Sequence, residues 1–293
     1  MRISFMKYIL SSLIFVISLS AETHNAILIS LDGAQRAHLN ELLASGKVPV
    51  IKELKAEGAF VDLQIEGHDT GTGPGHAEML TGLPKELNNV QSNRKYKAIP
   101  AGYTIGERLE KVLGKENIVT VMVMGKESYM GASTADQPYY NAKNSIDVWD
   151  GDESKRSESV VVKGLDYLDK YKDKRFFMFF HFKDVDSKGH KYGENSPEYE
   201  AALISEDSRI GRVLNKLKEL KIYDKTMVYV TADHGFDEGK KDHSYAPEIF
   251  LVTNDKAVKK NGTQADVVPT ILTQFNIDLS KLEPPLPGKP LNR

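Results

Sequence analysis

Phe176–Phe182 reads FFMFFHF, a run with apolar residues facing both ways along an extended chain. Such a segment fits where a sheet is covered on both faces. Five further runs have strand character, most of them near-continuous: AILISLD (Ala26–Asp32), VDLQIE (Val61–Glu66), VTVMVM (Val119–Met124), TMVYVTAD (Thr226–Asp233) and EIFLVT (Glu248–Thr253). Between them, AHLNELLAS, TIGERLEKVLG, SESVVVKGLDYLDKY, PEYEAALISEDSRIGRVLNKLKEL and ADVVPTILTQF carry apolar residues at three- and four-residue steps, the helical period. Strands alternating with helices predict an α/β fold, a doubly wound, mostly parallel sheet flanked by helices. Residues 133–157 have no clear period and contain the only tryptophan, so a surface excursion or small cap is expected there. The Pro-rich ending LEPPLPGKPLNR is expected to lie extended on the surface.

Composition narrows the function classes. Lysine and arginine number 39 against 41 aspartates and glutamates, with no basic block, so nothing marks a binder of nucleic-acid polymers. Residues 1–20 combine Arg2 and Lys7, an apolar run from Ile9 to Leu19 and small residues before AETH, the pattern of a secretory signal peptide. The run is short for a membrane anchor. An exported chain, periplasmic or secreted and without a stable anchor after cleavage, is the expectation. There is no cysteine, so any metal must be held by His, Asp and Glu.

Ligands of open α/β sheets bind beyond the carboxyl ends of the strands. Asp32 ends the first run, Asp186 and His190 follow the fourth, Asp233 and His234 end the fifth, and His243 precedes the sixth. Taken singly, each is more often a turn, cap or surface residue. Jointly they concentrate carboxylates and imidazoles at one edge, which independent caps have no reason to do. Such a sulfur-free set suits Zn²⁺ first, with Mn²⁺ or Fe as lesser fits.

LISLDG, TGPGHAEMLTG, DVDSKGHKYG and TADHG with a downstream histidine resemble the alkaline phosphatase superfamily, specifically its type I phosphodiesterase/nucleotide pyrophosphatase branch. The resemblance covers nearly all of residues 21–293 and implies a hydrolase domain with two zinc ions. It places Asp32, Thr72, Asp233 and His234 on one ion and Asp186, His190 and His243 on the other. Asp184 rivals Asp186, but the D-x-x-x-H spacing favours Asp186. In the stretch GHDTGTGPGHAEMLTG (Gly67–Gly82), the position of the threonine before x-Pro-x-His selects Thr72 over Thr70 as nucleophile. Pro74 suits a first helical turn, and the free N–H groups of a helix start face anions well. A threonine hydroxyl attacks poorly unless something lowers its pKa, as metal coordination does. A flexible loop with a helix cap would account for the glycines and Pro74 alone.

By position in the family, Asn93 binds a phosphoryl oxygen, with Asn88 and Asn89 as alternatives, and Lys126 places an ammonium over the substrate anion. The implied activity is hydrolysis of a small-molecule phosphate ester through a phosphothreonine, most similar to the phosphodiesterases and pyrophosphatases. A phosphomonoesterase is the alternative, although Ser128 stands where the monoesterase pattern has arginine. A sulfatase needs Cys or Ser before x-Pro-x-Arg, whereas this chain has Thr72 and His76. A non-catalytic phosphate binder is expected to have lost a ligand or the nucleophile, and none is missing. Tyr129, Tyr139, Tyr140 and Trp149 are candidates to line a subsite for the second group of a diester, or to pack within the excursion.

Overall fold

The computed structural model describes residues 25–293, so the expected signal peptide over residues 1–20 lies outside the described residues. The chain begins with β1 (Asn25–Leu31), then α1 (Arg36–Ala44) and α2 (Pro49–Glu57) lead to β2 (Ala59–Gln64). After the glycine-rich loop come α3 (Thr72–Thr81), the single turn α4 (Lys85–Asn88), and a separate hairpin of β3 (Val90–Ser92) and β4 (Lys95–Tyr96). α5 (Ile105–Leu113) and β5 (Val119–Met124) are followed by α6 (Glu127–Met130), α7 (Tyr140–Ser145), β6 (Val148–Gly151) and α8 (Ser157–Tyr171). β7 (Phe176–Phe182) runs into α9 (Asp184–Tyr192) and the long α10 (Pro197–Glu219). β8 (Thr226–Thr231), β9 (Glu248–Thr253), β10 (Gly262–Thr263) and α11 (Val267–Gln274) complete the fold.

The main sheet has the order β10-β2-β9-β8-β1-β7-β5-β6. Every residue of β1 and β7 is buried, as continuous apolar runs at the centre of a two-sided sheet require. Fully buried phenylalanines such as Phe177 and Phe179 contribute about 1.5–3 kcal/mol each. β8, β1, β7, β5 and β6 pair in parallel, so their carboxyl ends share one edge. β9 alone runs against its neighbours β8 and β2. The connection from β8 to β9 contains no helix and stays at the carboxyl edge, so β9 starts where β8 ends; parallel pairing would need a crossover.

All six expected runs are strands, and the doubly wound architecture is as expected. Within residues 133–157 the chain does leave the sheet, but it returns: α7 leads to β6, which pairs with β5 at the sheet edge. Four residues, VWDG, are too few to show a strand period. Tyr139 is fully buried there against Trp149, with ring centroids 5.8 Å apart, so these two aromatics pack the excursion instead of lining a subsite.

The tail lies along the surface without regular structure, as expected, but it is anchored. Its prolines prevent a helix, yet Leu282 and Leu291 are buried and need cover. The Leu291 N–H donates to Thr270 Oγ1 at 2.9 Å, and the Arg108 guanidinium reaches the Pro284 carbonyl at 3.3 Å. No helix among the described residues is long and apolar enough to cross a membrane.

Candidate active site

Asp32 directly follows β1 and is completely buried. Asp186 and His190 lie four apart on α9, which puts both on one face and explains the D-x-x-x-H spacing. Asp233 and His234 follow β8, and His243 lies in the loop before β9. Ligand atoms of Asp186, His190 and His243 lie within 4.8 Å of one another, as do those of Asp32, Asp186 and His234.

The three histidines are oriented the same way. His190 Nδ1 donates to the Lys241 carbonyl at 2.9 Å, His234 Nδ1 to the Gly235 carbonyl at 2.9 Å, and His243 Nδ1 to the Thr70 carbonyl. A carbonyl only accepts, so each neutral ring carries its proton on Nδ1 and turns the Nε2 lone pair inward. The Nε2 atoms of His190 and His243 then face each other at 3.2 Å, with Asp186 Oδ1 3.3 Å from His190 Nε2. His234 Nε2 stands 3.6 Å from Asp32 Oδ1 and 3.4 Å from Asp233 Oδ2. Asp186 Oδ1, Asp233 Oδ2 and His234 Nε2 are buried with no hydrogen-bond partner among the described residues. Leaving such groups unmet costs roughly 1–3 kcal/mol each. Converging unmet acceptors fit divalent cations, and the donor set of three imidazoles and three carboxylates fits zinc.

Charge points the same way. Burial alone would raise the Asp32 pKa, but Lys126 and His181 beside it hold the carboxyl well below its ordinary range. Asp186 and Asp233 are also lowered against burial, by Lys126 and His190 for Asp186 and by His234 and His76 for Asp233. Asp32 and Asp186 thus share a single ammonium, while Asp233 faces the two imidazoles.

That ammonium is Lys126, at the turn after β5, with a left-handed φ of 54°. Its Nζ lies 3.0 Å from Asp32 Oδ1 and 3.3 Å from Thr72 Oγ1, and it also donates to Asp186 Oδ2. Sequence reasoning placed it over the substrate; it also bridges two of the expected metal ligands.

Thr72 opens α3, and its cap residue Gly71 supplies no side-chain acceptor, so the first N–H groups of the helix face the site. Two are taken and one is missing: the Gly73 N–H donates to Asn93 Oδ1 at 2.7 Å, which fixes Asn93 at the turn, the Gly75 N–H donates to the Gly71 carbonyl at 3.0 Å, and Pro74 has no N–H, which leaves that of Thr72. Asn88 is instead spent on the Leu83 carbonyl and the Val90 N–H, and Asn89 on the Ala98 carbonyl. Asp184 faces Arg209, not the cluster. Thr70 donates its hydroxyl to the His243 carbonyl, so of the two threonines Thr72 is the one that meets Lys126.

Two histidines buried beside Asp32 and Thr72 went unassigned from the sequence. His181 Nε2 meets Asp32 Oδ2 at 2.7 Å; the only polar residue of FFMFFHF was its signal. His76 donates Nδ1 to the Thr72 carbonyl at 2.8 Å, with Asp233 Oδ2 3.2 Å away. Beside the turn opens a cavity of about 410 Å³, bordered by Asn93, Arg94, His243 and the exposed Tyr245. Tyr245 had no sequence signal.

α3 also packs against the Asp233 backbone at Gly75. A Cβ there would lie 2.4 Å from the Asp233 carbonyl oxygen. Gly75→Ala is therefore expected to lose about 1–3 kcal/mol through overpacking. It should also weaken retention of a cation held by the cluster, because Asp233 must move. Thermal melts and metal analysis after dialysis check both.

A model of the family described as type I phosphodiesterase/nucleotide pyrophosphatase matches residues 26–281. Human ectonucleotide pyrophosphatase/phosphodiesterase family member 1 is 26% identical over 236 residues, covering 74% of this chain and 24% of that protein. The bis(5'-adenosyl)-triphosphatase ENPP4 of Pongo abelii is 24% identical, covering 74% of this chain and 48% of that protein. Among solved structures, the lipoteichoic acid synthase LtaP of Listeria monocytogenes superposes with a TM-score of 0.68 at 16% identity, over 93% of this chain and 76% of that one. An inactive threonine-to-alanine variant of murine ectonucleotide pyrophosphatase/phosphodiesterase 5, in complex with AMP, superposes with a TM-score of 0.63 at 16% identity, over 91% of this chain and 97% of that one. The chain spans about a quarter to a half of the length of these curated relatives.

Proposed function

Because the chain belongs to the type I phosphodiesterase/nucleotide pyrophosphatase family, we propose that it hydrolyses phosphoric esters by transfer of the phosphoryl group to Thr72. One observation carries this reading. Thr72 Oγ1 stands at a helix start 3.3 Å from Lys126 Nζ, and that ammonium is itself paired with Asp32 and Asp186. The hydroxyl therefore lies inside the carboxylate–imidazole cluster.

Asp186, His190 and His243 would hold one zinc, and Asp32, Asp233, His234 and the Thr72 oxygen the other. When bound, the pair supplies Lewis-acid chemistry, lowering the pKa of the Thr72 hydroxyl and neutralising charge on the departing oxygen. Lys126 donates to Thr72 Oγ1 and favours its deprotonated form. Asn93, its Oδ1 held by Gly73, keeps its amide N–H₂ for a non-bridging oxygen, and the Thr72 backbone N–H at the helix start adds a second donor. The Thr72 hydroxyl gives its proton to solvent and its Oγ bonds to phosphorus, while the bond to the leaving oxygen breaks and that oxygen takes a proton from solvent. Water then attacks the phosphothreonine, releasing phosphate or its monoester and restoring the hydroxyl. Two in-line inversions give retention at phosphorus.

The cavity walled by Arg94 and Tyr245 leaves room for the second group of a diester, such as a nucleotide. Purified protein loaded with zinc is expected to cleave an aryl phosphate diester faster than the matched monoester. The reverse ranking would favour the monoesterase reading, which the added charge of Lys126 supports. Export as a periplasmic or secreted protein completes the reading; N-terminal sequencing of the exported form should begin near Ala21.

A further inference from the structure

His68 lies in the loop between β2 and α3, four residues before Thr72, and its side chain is 2% exposed. Its Nδ1 lies 2.8 Å from the Asp69 carbonyl oxygen. Its Nε2 lies 3.2 Å from Glu78 Oε2 on α3 and 3.2 Å from Gln264 Oε1. Gln264 spends its amide nitrogen on the Ala232 and Asp233 carbonyls, at 3.3 and 3.1 Å, so only its oxygen is offered to the ring. Every polar neighbour of His68 is thus an acceptor. A neutral imidazole has one N–H and leaves one side unmet; the imidazolium meets both.

The same contacts reach the active site from two sides. The Asp69 carbonyl also accepts the Gly71 N–H at 2.9 Å, closing the turn that delivers Thr72. The next carbonyl, that of Thr70, holds the His243 ring. Through Gln264 the ring is tied to the backbone of Asp233.

We propose that His68 is a positioning residue: a buried imidazolium that clamps the Thr72 turn to α3 and to the Asp233 backbone, and that gives up one of those holds when it loses its proton. The proposal rests on the function proposed above for its catalytic consequence, but the clamp itself does not. Burial favours the neutral ring, yet Glu78 offsets it and the pKa is raised. Glu78 is the charged group facing the ring, and the neighbouring cavity carries Glu66, Lys260, Asp266 and Lys289 at its walls. The sign follows: the clamp is complete below the ordinary imidazole pKa of about 6.5 and is lost as pH rises through the raised folded value.

Two measurements on the full zinc-loaded chain test this. Nitrogen-15 NMR of histidine-labelled wild type, without substrate, is expected to show both His68 ring nitrogens protonated at pH 6. The titration should lie above the ordinary histidine value and fall by about one pH unit in Glu78→Gln. A ring that is neutral at pH 6 would overturn the clamp whatever the protein hydrolyses. Steady-state kinetics then read the consequence. Glutamine keeps one donor and no charge, so His68→Gln should lower kcat at least about tenfold with KM within about twofold. Loss of the His68 proton should give wild-type kcat an alkaline limb; in His68→Gln that limb should disappear, and amide exchange at Gly71 should quicken. In Glu78→Gln that limb should move down in pH with the ring titration. Wild-type kcat, limb and Gly71 exchange in His68→Gln would refute the positioning role. If His68→Gln does not fold, the wild-type titration and Glu78→Gln decide. If no ester is hydrolysed at all, the NMR titration and Gly71 exchange still decide the clamp.

Discussion

Replacing Thr72 with alanine is expected to lower kcat by at least about 10³-fold while leaving the fold and the metal content largely intact. On the proposed mechanism, the substitution removes the oxygen that bonds to phosphorus. It deletes a hydroxyl and a methyl at a helix start that has no side-chain cap to lose. Residual hydrolysis would come from water attacking in place of the hydroxyl, with Lys126 and Asn93 still in position. The difference from Thr70→Ala is the sharper test. Thr70 donates to the His243 carbonyl, so its loss should loosen one of the proposed metal ligands and act first on metal retention. Rapid-quench labelling with a phosphorus-32 ester should trap label on the Thr72 peptide in the wild type and none in Thr72→Ala. Equal kcat in Thr72→Ala and wild type would remove the nucleophile assignment.

Chelation is expected to have the second large effect, on activity and stability together. Without cations, the buried Asp186 Oδ1, Asp233 Oδ2 and His234 Nε2 have no hydrogen-bond partner among the described residues, and Asp32 and Asp186 both rely on Lys126. A cation at about a thousand times its dissociation constant stabilises the native state by roughly 4 kcal/mol per site. For a chain of this size, two such sites correspond to a melting temperature higher by roughly 15–30 °C. Hydrolysis should fall to background on exhaustive chelation and return with added zinc. Asp186→Asn, which weakens an atom set common to both clusters, should approach the chelated state in both readouts. An unchanged melting curve and full activity after chelation would contradict the two-cation site.

The sequence was most informative where the chemistry needs charge at a strand end. Asp32, Asp233 and His234 follow apolar runs directly, so their edge of the sheet could be named before any coordinates existed. Asp186 and His190 stood out by their place after the fourth run and by the family resemblance, with the D-x-x-x-H spacing favouring Asp186 over Asp184, although their helix α9 was not legible. DVDSKGHKY has too little apolar character for a helical stripe, and α9 is fixed by tertiary contacts such as the Asp186 N–H to the Asp32 carbonyl at 3.0 Å. β6 escaped notice because four residues give no period. Lys126 shows a further limit: its place after β5 was readable, but its ion pairs with Asp32 and Asp186 depend on a side chain reaching across strands. His68 and Tyr245 are similar cases, since burial among acceptors and exposure beside a cavity are properties of packing, not of residue type.

The most direct measurement is a crystal structure of zinc-loaded protein with anomalous scattering recorded on both sides of the zinc absorption edge. Two peaks are expected, one bonded by Asp186, His190 and His243, the other by Asp32, Asp233, His234 and the oxygen of Thr72. A map without zinc at these residues, or with the Thr72 oxygen turned away from both peaks, would contradict the mechanism proposed for this chain.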